Sequence, residues 1–141
     1  MVKANSMQKK IIAVLLAVAL SLVAFAPSAS AATQWYFNFK IGEKHYCSAT
    51  KTNSYAYSSI THLRGASYKF VEGKSVLGLR VRNASNVIVS DYYKYSTFFS
   101  TAKKMTHVHS KPKNGTGLRL YGQVDSASLY SQIKTYGNWT P

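Results

Sequence analysis

From residue 33 onward the chain alternates apolar and polar residues with a period of two, and helical spacing is nearly absent. That periodicity directs the backbone into half-buried strands. Over residues 34–41, Trp35, Phe37, Phe39 and Ile41 fall on one side, and Gln34, Tyr36, Asn38 and Lys40 on the other. This is the pattern of an antiparallel strand with one face on a core. Gly42, Glu43 and Lys44 mark a turn, and further strands are predicted over 45–51, 55–62 and 67–71, the last ended by Glu72, Gly73 and Lys74. A hairpin is predicted over 76–94. In it, Leu77, Leu79 and Val81 alternate with Gly78, Arg80 and Arg82, residues 83–86 turn the chain, and Val87, Ile88 and Val89 begin the return. A short strand over 105–109, a basic turn-rich loop over 111–117 and a strand over 118–124 follow, with Leu118, Leu120 and Val124 inward. Residues 125–128 carry capping residues for one helical turn, and 132–139 closes the chain with Ile133 and Trp139 on one face. About seven to eight short strands at this spacing imply an all-β antiparallel sandwich or small barrel.

The segment before residue 32 obeys a different rule. Lys3, Lys9 and Lys10 precede an apolar run over residues 11–26, then Pro27 and the small residues Ala29, Ser30 and Ala31. This layout matches a secretory signal peptide cleaved after Ala31. The 16-residue run falls short of the roughly 20 residues needed to cross a bilayer, so no transmembrane span is expected after cleavage. The expected organisation is a signal over 1–31, a single β-sandwich domain over 32–141, and a secreted or cell-wall-associated location.

Eighteen Lys and Arg stand against four acids, Glu43, Glu72, Asp91 and Asp125, which are scattered along the chain. That scarcity argues against carboxylate-rich calcium or magnesium sites and against clustered-acid hydrolases. Three of the cations lie in the signal, leaving a formal +11 on the remaining residues. A disordered basic tail is excluded by 46% apolar and 13% aromatic residues, enough to build a packed core. Cys47 is the only cysteine, so no internal disulfide forms and stability comes from packing. Its thiol is a small buried apolar group, a reactive group, or the link of a Cys47-bridged dimer.

On the outward faces of these strands, cations and tyrosines interleave. Arg80 falls beside Arg82, Tyr92 beside Lys94, Arg119 beside Tyr121, and Lys134 beside Tyr136. Charged donors next to flat rings with polar tips suit anionic or hydroxylated polymers. These eight residues form the expected ligand-binding surface. For an exported protein the partner is an anionic cell-wall polymer or a lipid head group, held by a salt-sensitive attraction. Nucleic acid is the less favoured partner, and no cofactor is expected.

His45 and Cys47, like His107 and His109, are two apart on predicted strands and so share a face. They are the weak metal candidates, converging only if their strands are neighbours; no metal site is expected. An enzymatic alternative is a secreted nuclease in which His107, His109 and Lys111 move protons and hold phosphate. A third reading is a matrix or adhesion protein.

The N-terminal signal, the run from Phe37 to Ile41, the segment from Gly115 to Leu120 and the aromatic ending Tyr136-Gly137-Asn138-Trp139-Thr140-Pro141 resemble small exported proteins of Gram-positive bacteria linked to bacteriocin-type export clusters. More loosely, the layout is similar to lactococcin 972-type bacteriocins, although this chain is longer and carries Cys47. The resemblance implies a bacteriocin-like or bacteriocin-associated, envelope-directed protein without enzyme activity. It carries over no catalytic residue.

Overall fold

Because alternate residues of an extended chain face opposite ways, Trp35, Phe37 and Phe39 all turn inward from the first strand, β1 (Thr33–Lys40). The computed structural model that shows this describes residues 32–66 and 68–141. The expected signal segment lies outside them. Seven further strands follow: β2 (Lys44–Thr50), β3 (Tyr57–Gly65), β4 (Leu77–Asn83), β5 (Tyr93–Tyr95), β6 (Lys103–Thr106), β7 (Gly117–Val124) and β8 (Gln132–Thr140). They form an all-β sandwich of two antiparallel four-stranded sheets, ordered β1-β8-β3-β6 and β2-β7-β4-β5. In this arrangement β1 packs on β2 and β7, and β7 on β8, across the interior.

The core follows from the alternation. Leu77, Leu79 and Val81 of β4, Leu118, Leu120 and Val124 of β7, and Ile133 and Trp139 of β8 are all buried. Two inward positions are glycine because a neighbour fills the space. A Cβ on Gly122 would lie 2.6 Å from the Phe37 ring, and Gly137 is similarly crowded beneath Trp35.

Five expectations are corrected or narrowed. Ile41 does not continue the inner face; it is 58% exposed. Glu43 ends β1 by accepting the Lys40 amide through its side chain at 2.8 Å, and Ile41 falls in the turn that Gly42 permits with φ +88°. Within 67–71, the described residues form a turn instead of a strand. The amides of Lys69 and Phe70 both donate to the Ala66 carbonyl at 2.8 Å, which drops Phe70 into the core against Phe98.

Val87, Ile88 and Val89 make only an isolated bridge, Arg82 to Ile88. The Asn83 side chain captures the Val87 amide at 2.8 Å and Ser90 Oγ takes the Val81 amide at 2.9 Å. Side chains thus take two of the amides a full ladder would use, while the Asn83 amide still donates to the Val87 carbonyl and the Val89 amide to the Val81 carbonyl, both at 2.9 Å. The hairpin expected over 76–94 forms, its return arm completed by β5 against β4. Residues 125–128 form a turn in which Asp125 accepts the Ala127 amide, with no helix among the described residues. The short strand expected over 105–109 lies earlier, as β6.

Candidate anion-binding site

The register of β2, β7, β4 and β5 builds the outer face of their sheet row by row. Tyr46 faces Tyr121, which faces Arg80. One row on, Ser48 faces Arg119, which faces Arg82. One row back, Lys44 faces Gln123, which faces Gly78, which faces Lys94. Pairing directly across antiparallel strands brings Cβ atoms within about 4.5–5.5 Å, so these side chains touch.

Arginines lie on tyrosines throughout. The Arg119 guanidinium is 5.0 Å from the Tyr46 ring centre, Arg82 is 5.5 Å from Tyr121 and Arg80 is 5.6 Å from Tyr92. Tyr46 and Tyr121 are themselves 5.4 Å apart. Such contacts hold a guanidinium in place while leaving its edge free to donate. Arg82 is further fixed by donating to the Asn86 carbonyl at 2.8 Å.

A cleft of about 310 Å³ opens on this face, lined by Lys44, Arg80, Arg82, Tyr92 and Tyr121 among others. Tyr92 forms its wall by lying across Gly78, and its hydroxyl accepts from Gln123 at 3.1 Å. Burial, aided by the nearby Asp125 charge, pushes the Tyr92 phenol up to about 12, so it stays neutral. A Cβ on Gly78 would lie 1.6 Å from that hydroxyl. We expect Gly78→Ala to expel Tyr92 and return its phenol toward the ordinary value, read as a difference in ultraviolet pH titration against the parent protein. An unchanged titration would contradict this packing.

Charge compensation on this face is one-sided. Asp125 pairs with Lys94 at 3.1 Å; its burial opposes ionisation, but the Ala127 amide, Lys94 and the Tyr92 hydroxyl outweigh that and hold its carboxyl low. The other acids are engaged elsewhere: Glu43 with the Lys40 amide, Glu72 with the Phe98 amide and Asp91 with His109. Among the described residues, Lys44, Arg80, Arg82 and Arg119 form no ion pair, and the buried Arg80 Nε has no hydrogen-bond partner.

Six of the eight expected surface residues, Arg80, Arg82, Tyr92, Lys94, Arg119 and Tyr121, therefore share one face. Lys134 and Tyr136 do not join them, because β8 belongs to the other sheet. There Tyr136 faces Tyr36 across the β1–β8 pair. The Lys134 ammonium lies 5.7 Å from the Tyr36 ring centre, and a hydrogen bond to Tyr36 raises its pKa. Gln123, which alternates onto one face with Arg119 and Tyr121, also lines the site, and Lys44 and Tyr46 belong to it and were missed. Their signal was present: Lys44, Tyr46, Ser48 and Thr50 alternate with Cys47 and Ala49, but only the strand pairing shows which face they join.

The metal candidates do not converge. His45 and Cys47 sit on β2, at one edge of its sheet, and His107 and His109 follow β6, at the far edge of the other. His45 packs edge-on against Phe39 with ring centres 5.6 Å apart, and the half-buried Cys47 thiol contacts the Gln34 carbonyl at 3.5 Å. His107 and His109 do not share a face either. The chain leaves one sheet for the other between them: the His107 amide bonds to Ala56, the Val108 amide to Val89. His107 is consequently buried, with Nε2 2.9 Å from Ser58 Oγ. His109 is exposed beside Asp91 at 3.0 Å. Among the described residues, no three His, Cys, Asp or Glu gather into a metal-binding group, and no helix is long and apolar enough to cross a membrane.

No family model, curated protein or solved structure matches this chain.

Proposed function

We propose that this chain is an exported, non-enzymatic protein that binds an anionic cell-envelope component through the outer face of the β2-β7-β4-β5 sheet, as a bacteriocin-like or bacteriocin-associated factor. One observation carries the reading: Lys44, Arg80, Arg82 and Arg119 line one sheet face without a carboxylate partner among the described residues. The signal-like pattern before residue 32 supports the external location, where wall polymers and anionic head groups are the abundant polyanions. Neutral, buried His107 and solvent-facing His109 present no joint acid–base pair, which favours binding over hydrolysis.

The test is retention on purified Gram-positive cell walls across a salt series. The screening length falls from about 30 Å at 0.01 M to about 3 Å at 1 M salt, so retention is expected at low salt and release at high salt. Replacing Arg80, Arg82 and Arg119 together with Gln is expected to flatten the slope of log affinity against log salt by about two. Salt-insensitive retention, or none at low salt, would overturn the reading.

A further inference from the structure

The kinds of cation on this face, and their spacing, narrow the anion. Three of the chain's four arginines, Arg80, Arg82 and Arg119, stand here, whereas most of its lysines stand elsewhere. The fourth, Arg64, lies in the other sheet with its guanidinium bonded to the Leu63 and Phe99 carbonyls. Guanidinium presents a planar fork of donors that matches the oxygens of phosphate, whereas ammonium acts as a point charge.

Arg82 and Arg119 are direct partners across β4 and β7. Like charges so placed destabilise a sheet unless an anion lies between them, and no carboxylate among the described residues fills that role. On either side of this pair the same sheet face holds a hollow, one of about 310 Å³ toward Lys44 and Gly78 and one of about 300 Å³ toward Thr50 and Ala84. Successive outward residues on a strand are about 7 Å apart, so the track from Gly78 to Ala84 runs about 20 Å. Cations recur along it at that step: Lys44 in the first row, Arg80 in the second, Arg82 with Arg119 in the third. Tyr46, Tyr92 and Tyr121, which would otherwise offer stacking platforms, each already carry a guanidinium. Stacking on open rings is how single-stranded nucleic acid gains much of its affinity.

We propose that this face reads the phosphodiesters of a polyol-phosphate chain lying along β4 and β7, with Arg82 and Arg119 clasping one phosphate between them. This rests on the anion-binding reading above. A short polyol joined through phosphodiesters repeats, when extended, on the scale of the cation rows and brings no base or ring that needs an aromatic partner.

The test compares binding of the purified protein to poly(glycerol phosphate), poly-γ-glutamate and single-stranded DNA, matched in charge count and at one low ionic strength. At least ten-fold tighter binding to poly(glycerol phosphate) than to either other polymer is expected. The double variant Arg82→Lys with Arg119→Lys keeps the charge but loses the fork, and is expected to erase that preference while retaining the parent melting temperature. Equal affinity for the glutamate polymer, or equal or tighter binding to DNA, would overturn the phosphodiester assignment and leave the anion-binding reading standing. Failure to bind any of the three would overturn both. The polymer ranking is measured on the unaltered protein, so it decides the matter even if the double variant does not fold.

Discussion

Gly137→Ala is expected to abolish the cooperative fold. A Cβ at this position would lie 2.2 Å from the His62 backbone oxygen and 2.8 Å from Trp35 Cζ2. The indole has nowhere to retreat in a filled core, and the carbonyl belongs to a paired strand: His62 lies beside the β3 irregularity, opposite Asn138. Relief therefore requires separating β8 from β3 in the middle of their sheet, which costs the protein most of its stability. We expect a loss above about 4 kcal/mol, the range that marks a broken structural element instead of an ordinary substitution. Two comparisons grade the effect. Gly122→Ala meets side chains instead of backbone, the Phe37 ring at 2.6 Å and Leu79 Cδ2 at 3.3 Å, and is expected to cost about 1–3 kcal/mol by overpacking. Gly42→Ala has no atom within 4 Å of the new Cβ, but its φ of +88° adds strain of about 1 kcal/mol. Urea denaturation of the three variants should rank them in that order; a stable Gly137→Ala would refute the packing at the β3–β8 junction.

The second large effect is acid sensitivity centred on His107. Burial, reinforced by the nearby Lys51 charge, pushes its imidazole down to about 4 from the ordinary 6.5. Lys51 is itself buried and its ammonium donates to Asn53 at 2.8 Å, with desolvation lowering its own pKa. Above pH 6.5 the imidazole is neutral both folded and unfolded, so stability does not change through this group. Below it the unfolded chain takes up a proton that the folded chain refuses, and stability falls until about pH 4, where the folded state protonates too. One pH unit of displacement corresponds to about 1.4 kcal/mol, so the loss over this window is about 3 kcal/mol. His107→Gln, which does not titrate and can still reach Ser58, is expected to remove most of this pH dependence. Melting temperatures of both proteins between pH 7 and 4 would show it; parallel curves would assign the acid sensitivity to other groups.

The sandwich was legible in the sequence wherever alternation was strict and long. Residues 34–40, 77–83, 118–124 and 132–139 read correctly because one face of each is buried, and burial enforces a period of two. Reading failed where a side chain intervened in the backbone bonding. Asn83 and Ser90 take two of the amides that an unbroken return strand after the β4 turn would have used, leaving that return as a single bridge before β5, and Phe70 is apolar because it plugs the core from a turn, not because it continues a sheet. The site was legible as a list of cations and tyrosines but not as a place. Nothing in the spacing of Lys134 and Tyr136 tells which sheet β8 enters, and nothing near Lys44 or Tyr46 announces that β2 pairs with β7. His107 and His109 do not share the face their spacing implies, since a shared parity along the chain means a shared face only while the strand continues, and β6 stops at Thr106.

Each of the four carboxylates has a partner inside its own fold: Glu43 a turn amide, Glu72 the Phe98 amide, Asp91 an imidazole and Asp125 an ammonium. A second copy of the protein therefore offers only scattered acids, each already hydrogen-bonded or ion-paired, to the arginine rows of the first. Head-to-tail chains held by charge need two complementary patches on one molecule, and the four scattered acids form no cluster to match the basic face. Gathered on a polyanion by the proposed face, such molecules would repel one another and share out its length, each occupying its own stretch.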